Sequence, residues 1–432
     1  MFNCSNIQVL HTTIKQSNIQ TKQMKSLLKM AYRNIWRNRS RTLITAAAVM
    51  FGVFLSIVLT SFQNGSWDGM INGIVENYYG YAQVHSKGYW DDQVINGAFE
   101  YTDELKNLDK NENISAAIPR IEGFVLVAHE EGTTAKQIIG TDPIAEDKMT
   151  SLSDSIKVGK YLTANDDGVL ISDSMSRELE VTVGDTLVFI GSGFRGSSAV
   201  GKHVIRGIVK FRMPQMREMI FMSLSKAQKL FAAPDHITSL VLHSDKPAKI
   251  KSTVANLQGS LDTASAYEVM YWEQLIPDLL KSKELDQAGN KIIPYLLYAI
   301  IGFVIFGTIL MMLKEREYEF GVMTAIGMKR WRLGLMVMLE TLAINFLGVI
   351  AGTLAALPIV YHFYKNPIPI SSMGDGAKET YESFGIPPEI PFSWDLNIFL
   401  SEAITIFILS MILSLLIFRK VRKLKAIEAM RH

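Results

Sequence analysis

Four long apolar stretches divide the chain, and more than two hundred residues of mixed polar sequence separate the first stretch from the second. A helix rises about 1.5 Å per residue, so roughly 20 apolar residues cross about 30 Å of hydrocarbon. The stretches of that length are residues 42–63, 292–313, 333–361 and 396–418. The pattern predicts an α-helical membrane protein with four transmembrane helices and a large domain inserted between helices 1 and 2.

The insert, residues 64–290, alternates between short strand-like and helix-like segments. The strand-like runs are rich in β-branched and aromatic residues and have Gly, Asp or Asn at their borders. They are Tyr81–His85, Gly123–His129, Gly168–Ile171, Thr186–Ile190, His203–Lys210, Met219–Met222 and Ser239–His243. Helices are expected at Asp173–Glu180, Leu224–Phe231, Ala248–Leu257 and Tyr271–Ala288. The mixture predicts a large α+β domain, arranged in two lobes.

The distribution of basic residues indicates how the chain is oriented in the membrane. Lys and Arg concentrate before the first apolar stretch, between the second and third, and after the fourth. The loop Asn366–Asp395 contains Lys378 as its single basic residue. Because Lys and Arg in short flanking loops stay on the cytoplasmic side, both termini are predicted to be cytoplasmic. The insert and the loop Asn366–Asp395 are then extracytoplasmic.

The first forty residues fall into two parts. Residues 1–24 are polar and end at a second methionine, Met24, so we expect them to be disordered or to precede the native start. In residues 25–41, apolar side chains recur at steps of three and four residues, with Lys and Arg on the opposite face. This pattern predicts a cytoplasmic interfacial helix on the membrane lipid. The alternative is an ordinary helix packed on a partner. The tail, residues 419–432, is basic.

Composition excludes several classes of function. The chain is 48% hydrophobic with a formal charge of +2, which is untypical of disordered chains and of nucleic-acid binders. The lone Cys4 excludes an internal disulfide. The eight histidines form no metal-binding motif, and no nucleophile lies beside a base in a recognisable pattern. We therefore expect no catalytic, cofactor-binding or metal-binding residues on this chain.

A glycine-rich run in the insert resembles nucleotide-binding motifs. Gly191, Gly193 and Gly196 match GxGxxG, and Gly196–Lys202 matches most of a phosphate-binding loop. However, His203 occupies the position where such a loop needs Ser or Thr, and the residues that follow are strand-like. The run is therefore interpreted as the tip of a β-hairpin.

Two acids lie within the predicted transmembrane helices, where an acid at the centre costs about 2.5–3.5 kcal/mol on insertion scales. Glu340 lies near the cytoplasmic edge and is expected to face the helix bundle, bonded to a backbone or a neighbouring helix. Glu402 is expected near the outer leaflet. Structural roles are favoured over proton relays. Gly348 and Gly352 form a GxxxG pair that permits close approach of helices.

Several segments together resemble one family. AYRNIWRNRSRTLIT (Ala31–Thr45) and EREYEFGVMTAIGMKRWRL (Glu315–Leu333) are similar to the cytoplasmic segments of FtsX-like ABC transporter permeases. IIGTDP (Ile138–Pro143) and GVLISDSMSRELEVTVGDTL (Gly168–Leu187) resemble the MacB-like periplasmic domain. AIEAMR (Ala426–Arg431) resembles the basic tail of the family. The likeness covers the chain from Lys25 onward and makes residues 291–432 an FtsX-like permease domain.

The resemblance implies a permease subunit in the inner membrane of a bacterium. Members pair two permeases, copies of one chain or related chains, with a dimer of cytoplasmic ABC ATPases. Hydrolysis moves the periplasmic domains, a process called mechanotransmission. The partner ATPase would bind ATP and magnesium, because this chain is expected to lack a fused nucleotide-binding domain. The layout is closest to that of lipoprotein-releasing permeases.

The resemblance also assigns candidate sites. The cytoplasmic segment 314–332 is expected to dock on the ATPase through Glu315, Glu319, Phe320, Met323, Ala325, Ile326, Gly327 and Arg330, with bends at Gly321 and Gly327. The alternative is an amphipathic linker on the lipid surface. A substrate cavity between two permeases would be lined by Phe51, Phe54, Phe62, Tyr295, Leu297 and Tyr298. Plain helix packing would also explain these six residues.

Three functions remain open at the level of sequence. The first is extraction of lipoproteins from the inner membrane toward the outer membrane. The second is MacB-like export of peptides or small amphiphiles from the periplasm. The third is a membrane-anchored sensor or scaffold that transports nothing.

Overall fold

The computed structural model describes residues 33, 36, 37, 39–111, 113–129, 132–211, 215–261, 267–369 and 389–422. Most of the predicted interfacial helix 25–41, all of residues 1–24 and most of the tail 419–432 lie outside the described residues. The chain divides into two compact units. The membrane unit comprises Met1–Ser66, Asp286–Pro367 and Pro391–His432, and the outer unit comprises Trp67–Leu285 with Ile368–Ile390.

Four helices of the described residues are long and apolar enough to cross a membrane. Spans 1 to 4 are Arg39–Ile74, Ile292–Glu315, Arg330–Lys365 and Leu396–Arg422. The prediction of four transmembrane helices is confirmed. The helix of span 1 continues beyond the predicted end at residue 63, because Ile71 on its last turns is buried in the core of the outer unit.

The spans approach one another closely at glycines. A Cβ atom on Gly348 of span 3 would lie 2.8 Å from the carbonyl oxygen of Ala46 in span 1. One on Gly352 would lie 2.8 Å from Cβ of Val53, also in span 1. The absence of side chains therefore lets spans 1 and 3 meet backbone to backbone, as the GxxxG spacing predicts. Gly334 of span 3 gives similar room to Phe418 of span 4.

The segment before span 4 folds over the end of span 1. The Ser393 N–H donates to the Ser61 carbonyl at 2.9 Å, and the Ser61 hydroxyl donates to the Ser393 carbonyl at 2.5 Å. The ring of Phe392 lies edge-on to Phe62, with centroids 5.5 Å apart. The ring of Trp394 lies edge-on to that of Tyr361 in span 3, with centroids 5.3 Å apart. These contacts fix the outer ends of spans 1, 3 and 4 relative to one another.

The outer unit is built on a ten-stranded sheet in the order β12-β1-β11-β3-β4-β9-β6-β8-β5, with β7 pairing β3 and β8. Its strands are β1 Ala82–Ser86, β3 Ala116–His129, β4 Gly132–Thr141, β5 Ile156–Gly159, β6 Val169–Ser172, β7 Thr186–Ser192, β8 Ser198–Val209, β9 Met219–Ser223, β11 Ser239–His243 and β12 Tyr267–Tyr271. Two short pairs, β2 Phe99–Glu100 with β10 His236–Ile237 and β13 Ile368–Pro369 with β14 Glu389–Ile390, lie apart.

Short helices complete the outer unit and confirm an α+β domain. They are Tyr89–Asp92, Asp103–Lys106, Pro143–Thr150, Asp173–Glu178, Leu224–Leu230, Ile250–Ser260, Trp272–Leu275 and Pro277–Asn290. The single helix predicted over Tyr271–Ala288 is wrong at its start, where Tyr271 ends β12 and pairs with Ala82. Strands β4, β5 and β12 had no counterpart in the sequence prediction.

Separate hydrophobic clusters lie along the sheet. One contains Val125, Ile138 and Phe189 from β3, β4 and β7. Another joins Val84 of β1 and Leu240 of β11 to the helix Ile250–Ser260. Each pairs one stretch of the sheet with its covering helices, so the unit has more than one core.

The glycine-rich run forms the tip of a hairpin, as predicted. Strands β7 and β8 pair from Thr186 opposite Val204 to Ser192 opposite Ser198. Arg195 and Gly196 turn the chain with φ angles of 53° and 77°. Glycine reaches this left-handed region without steric cost, which explains its place in the turn. The GxGxxG spacing therefore reflects a tight turn between two strands and opens no helix.

Candidate functional site

A short helix, Glu317–Ala325, lies between spans 2 and 3 on the predicted cytoplasmic side and is called the coupling helix. It ends at Gly327, whose φ of 102° allows the Met328 N–H to donate back to the Met323 carbonyl at 3.0 Å. Such a reversal at a helix end favours glycine. The predicted bend at Gly327 is confirmed. The predicted bend at Gly321 is wrong, because Gly321 is buried in the middle of the helix.

The coupling helix and the residues that follow it expose apolar side chains. Ile326 is 83% exposed and Tyr318 is 63% exposed, and Trp331 at the start of span 3 is 46% exposed. Of the residues predicted to dock, Glu315, Ala325, Ile326, Gly327 and Arg330 are also exposed. Trp331 was expected to supply apolar contact surface in this segment. Tyr318 was not among the predicted docking residues, although a large apolar side chain in a charged segment is a signal for such a surface.

Three other predicted docking residues have different surroundings. Phe320 is 2% exposed and lies under the Arg316 guanidinium, so its expected role as a contact surface is wrong. Met323 is half-buried. Glu319 is engaged by two arginines of this chain. The sequence could not fix the rotation of so short a helix, which decides whether Phe320 points inward.

A chain of ion pairs links the coupling helix to its neighbours. Glu319 accepts hydrogen bonds of 2.7 Å from Arg37, which precedes span 1, and one of 3.3 Å from Arg316. Arg316 also donates to Glu340 of span 3 at 2.8 Å. Arg316 is 4% exposed and Glu340 is 3% exposed. The four residues join three segments that are far apart in sequence, and Glu340 faces the bundle as predicted.

The charge on Glu319 is fixed by this arrangement. Partial burial alone would raise the pKa of its carboxyl, but the hydrogen bonds from Arg37 and Arg316 outweigh that effect and lower the pKa below its usual value. Glu319 is therefore ionised at neutral pH and bridges two cations. A movement of the coupling helix must displace Arg316 or break a bond to it.

A second polar cluster lies toward the opposite end of the bundle from Glu340, around Glu402 of span 4. Its carboxylate accepts bonds of 2.5 Å from the Ser56 hydroxyl, 3.0 Å from Thr60 and 2.5 Å from Tyr298. Ser56 and Thr60 belong to span 1 and Tyr298 to span 2. Tyr298 is one of the residues predicted to line a substrate cavity between two permeases, and within this chain its hydroxyl donates to Glu402.

The other five predicted cavity residues do not form one enclosed site within this chain. Phe51 and Tyr295 are 60% and 62% exposed. Phe54 and Leu297 are half-buried, and Phe54 lies beside Phe51 with ring centroids 6.5 Å apart. Phe62 packs on Phe392. The exposed rings give spans 1 and 2 an apolar outward face.

A small cavity of about 20 Å³ lies at the other end of the bundle. Its lining is unusually rich in hydroxyls and consists of Thr42, Thr45, Thr308, Ile309, Met312, Glu340, Thr341 and Ile344. That volume is room for one water molecule. Within the described ranges, no three His, Cys, Asp or Glu side chains are grouped so as to hold a metal ion.

Comparison with known families fits this arrangement. The family model of the FtsX-like permease C-terminal domain matches residues 291–426. The model of the MacB-like periplasmic core domain matches residues 42–260. The chain belongs to the ABC transporter permeases of the MacB and FtsX type. Such permeases are the membrane component of ABC transporters and are not themselves the ATPase, so the family implies a partner ATPase.

Named relatives of this permease are distant. The lipoprotein-releasing system transmembrane protein LolC of Neisseria meningitidis is 20% identical over 73% of this chain and 76% of that protein. LolE of Haemophilus influenzae is 20% identical over 66% of this chain and 68% of that protein. An uncharacterized ABC transporter permease of Mycobacterium tuberculosis is 25% identical over 55% of this chain, which spans only 27% of that longer protein.

Two solved structures similar to the permease are isolated outer domains. The periplasmic region of MacB from Actinobacillus actinomycetemcomitans is 15% identical, with a TM-score of 0.36 over 48% of this chain and 95% of that one. The extracellular domain of the transporter YknZ is 14% identical, with a TM-score of 0.33 over 44% of this chain and 98% of that one.

Proposed function

We propose that this permease couples ATP hydrolysis by a separate cytoplasmic ABC ATPase to movement of its outer unit, and so extracts lipoproteins from the bacterial inner membrane. The observation that carries the coupling is the coupling helix, which exposes Ile326 and Tyr318 while its other side is tied to the bundle through Glu319. The ATPase binds the ATP and magnesium. The chain's termini and the coupling helix face the cytoplasm, and the outer unit faces the periplasm.

Exposed apolar side chains on a water-facing segment favour a protein partner. Burying the side chain of one exposed Ile is worth about 1.5–3 kcal/mol. Ile326 follows directly on the coupling helix and Gly327 redirects the chain after it, so Ile326 is presented at a corner. A cleft in the ATPase that accepts this corner would push on Glu319 and Arg316. The movement then reaches span 3 through the Arg316–Glu340 pair.

Lipoprotein release is the finer part of the proposal. It is supported by the likeness to LolC and LolE, which covers 66–73% of this chain and 68–76% of those proteins. The exposed rings of Phe51 and Tyr295 give spans 1 and 2 an apolar face on which a second permease, identical or related, would enclose acyl chains. Each buried CH₂ is worth about 0.8 kcal/mol, so a lipid anchor is a suitable ligand for such a face.

The docking step is tested by co-purification of the ABC ATPase with variants of the coupling segment. Ala325→Arg and Ile326→Asp are expected to abolish association, because each places a charge at the exposed corner. Val200→Asp, at a 63% exposed position in the outer unit, is the matched control and should leave association unchanged. Association that survives both coupling-segment changes would show that the ATPase docks elsewhere.

The substrate is tested by mass spectrometry of molecules that co-purify with the permease and ATPase. Diacylated or triacylated peptides are expected, and they should dissociate when ATP and magnesium are added. Recovery of unacylated peptides or free amphiphiles would favour MacB-like export. A complex that neither hydrolyses ATP nor contains a bound substrate would overturn the proposal and favour a sensor or scaffold function.

A further inference from the structure

Glu402 joins three of the four spans through one carboxylate. Its Oε2 accepts hydrogen bonds of 2.5 Å from Ser56 and of 2.5 Å from Tyr298, and its Oε1 accepts one of 3.0 Å from Thr60. Ser56 is completely buried and Glu402 is 8% exposed. We call these four residues the hydroxyl clasp.

The chemistry of the clasp makes it a strong link. A hydrogen bond to an ionised carboxylate is roughly twice as strong as one between neutral groups. Within the hydrocarbon region a separated hydroxyl or carboxylate finds no water to replace its partner, so breaking the clasp is costly. Separating span 4 from span 1 or span 2 leaves polar groups without partners on both sides.

Several other hydroxyls in the spans bond within their own helix, so a bond to another span is not a routine feature of serine and threonine in a membrane helix. Ser410 donates to the Phe407 carbonyl at 2.8 Å, and Thr341 donates to the Val337 carbonyl at 3.0 Å. Both bonds stay within one helix and hold nothing together. Ser56 and Thr60 instead reach across to Glu402.

The clasp connects helices that have different positions in the chain relative to the outer unit and the coupling helix. The chain enters the outer unit from span 1 and returns from it into span 2. Span 4 packs on span 3 where Phe418 meets Gly334, and span 3 follows the coupling helix. The clasp therefore joins the two helices that lead to the outer unit to a helix that packs beside the ATPase-facing end.

We propose that Glu402 is a positioning residue for transport, and that the hydroxyl clasp makes the outer ends of spans 1, 2 and 4 move as one body. Without the clasp, a displacement of the coupling helix bends the bundle, and the outer unit does not move. The proposal rests on the proposed function. It adds that the clasp stays closed while the outer unit moves.

The test compares nucleotide hydrolysis with movement in the complex of the full chain and its co-purified ATPase, reconstituted in lipid nanodiscs. Spin labels on Val200→Cys and Phe303→Cys, in a Cys4→Ser background, report the distance between an exposed site on the outer unit and one on span 2. Distances are measured with ATP and vanadate and without nucleotide. The readout requires no knowledge of the substrate.

Tyr298→Phe removes one donor of the clasp and keeps the ring. The variant should hydrolyse ATP at a rate within about twofold of wild type. The fraction of complexes that reaches the nucleotide-bound distance should fall about tenfold, because a tenfold change in an equilibrium corresponds to about 1.4 kcal/mol, the contribution expected of one charge-assisted hydrogen bond. Ser56→Ala should do the same. Tyr361→Phe in span 3, whose ring lies edge-on to that of Trp394, and Ser410→Ala in span 4 are the controls and should move normally.

The outcomes separate the two proposals. A wild-type complex that hydrolyses ATP without a distance change rejects the proposed function before any variant is compared. A wild-type complex that moves, with Tyr298→Phe and Ser56→Ala moving equally well, rejects the clasp alone. Equal losses in the clasp variants and in the controls Tyr361→Phe and Ser410→Ala also reject it. If Tyr298→Phe fails to fold, Thr60→Val provides the same comparison with a milder change.

Discussion

Replacing Glu340 with leucine is expected to destabilise the bundle far more than a typical change of a charged residue. Glu340 is 3% exposed, and its carboxylate accepts a 2.8 Å bond from Arg316, which is 4% exposed. The substitution leaves Arg316 buried with one of its two carboxylate partners removed. Breaking a buried pair on one side costs about 3–5 kcal/mol, because the remaining charge stays out of water.

The same segment supplies a control. Lys314 and Glu317 form a pair at 3.3 Å, but the Lys314 side chain is 80% exposed. Exposed pairs three residues apart contribute about 0.2–0.5 kcal/mol. Glu317→Leu should therefore lower the free energy of unfolding by roughly a tenth of what Glu340→Leu does. The difference comes from burial, since both pairs join a base and an acid.

The assay is reversible unfolding of the full chain in mixed dodecylmaltoside and SDS micelles, with free energies compared at one SDS fraction. The double variant Arg316→Met with Glu340→Leu removes both charges and should recover most of the loss, because an apolar pair of similar volume needs no solvation. If Glu340→Leu costs no more than Glu317→Leu, or if the double variant is as unstable as the single one, the pair is not a buried ionic link.

Three further changes probe other parts of the molecule. Gly348→Leu should weaken the contact of spans 1 and 3 and lower the free energy of unfolding by about 1–3 kcal/mol, whereas Gly307→Leu, with open space around it, should not. Gly327→Ala should cost about 1 kcal/mol by backbone strain alone at a φ of 102°, measured by the same unfolding assay. Burial lowers the pKa of His85 to about 3, so the folded outer unit resists protonation that the unfolded chain accepts below about 6.5. The contribution of His85 to the free energy of unfolding should therefore be constant above about pH 6.5 and fall by about 1.4 kcal/mol per pH unit between about pH 6.5 and 3. His85→Phe should reduce this pH dependence, measured as the hydrogen-exchange protection of the amides of β1.

The spans and the glycine turn could be predicted from the sequence because each depends on a local requirement. Residues 292–313 are long and apolar enough to cross a membrane whatever surrounds them, and Gly196 suits a left-handed turn in any hairpin. By contrast, β12 was missed because Tyr267–Tyr271 gains its stability from pairing with the distant strand β1. Local propensity contains no information about a partner that far away.

The polar links in the membrane unit could be predicted only in part. An acid within a span indicates that some partner exists, and Glu340 and Glu402 were found in that way. Their partners were not, because Arg316 is one of several bases between spans 2 and 3, and the hydroxyls of Ser56 and Thr60 could equally bond within their own helix. Choosing among them requires the rotation of each helix about its axis, which depends on packing.

The two intramembrane acids should respond differently to loss of charge, because their partners differ. Glu340 accepts a hydrogen bond from the Arg316 guanidinium, so Glu340→Gln leaves this buried cation with a neutral partner in span 3 and with only the partly exposed Glu319 as a carboxylate partner. Glu402 faces three hydroxyls, so Glu402→Gln removes a charge and leaves none behind. The amide oxygen of glutamine still accepts from one or two of the hydroxyls, and its NH₂ can donate to another.

Glu340→Gln should therefore cost about 2–3 kcal/mol more in the SDS unfolding assay than Glu402→Gln, although both remove one carboxylate from a membrane helix. Arg316→Gln in the Glu340→Gln background should reduce the difference, since it removes the uncompensated cation. An equal cost for the two acids would mean that solvent reaches Arg316. A larger cost at Glu402 would mean that its charge, and not its hydrogen bonds, holds spans 1, 2 and 4 together.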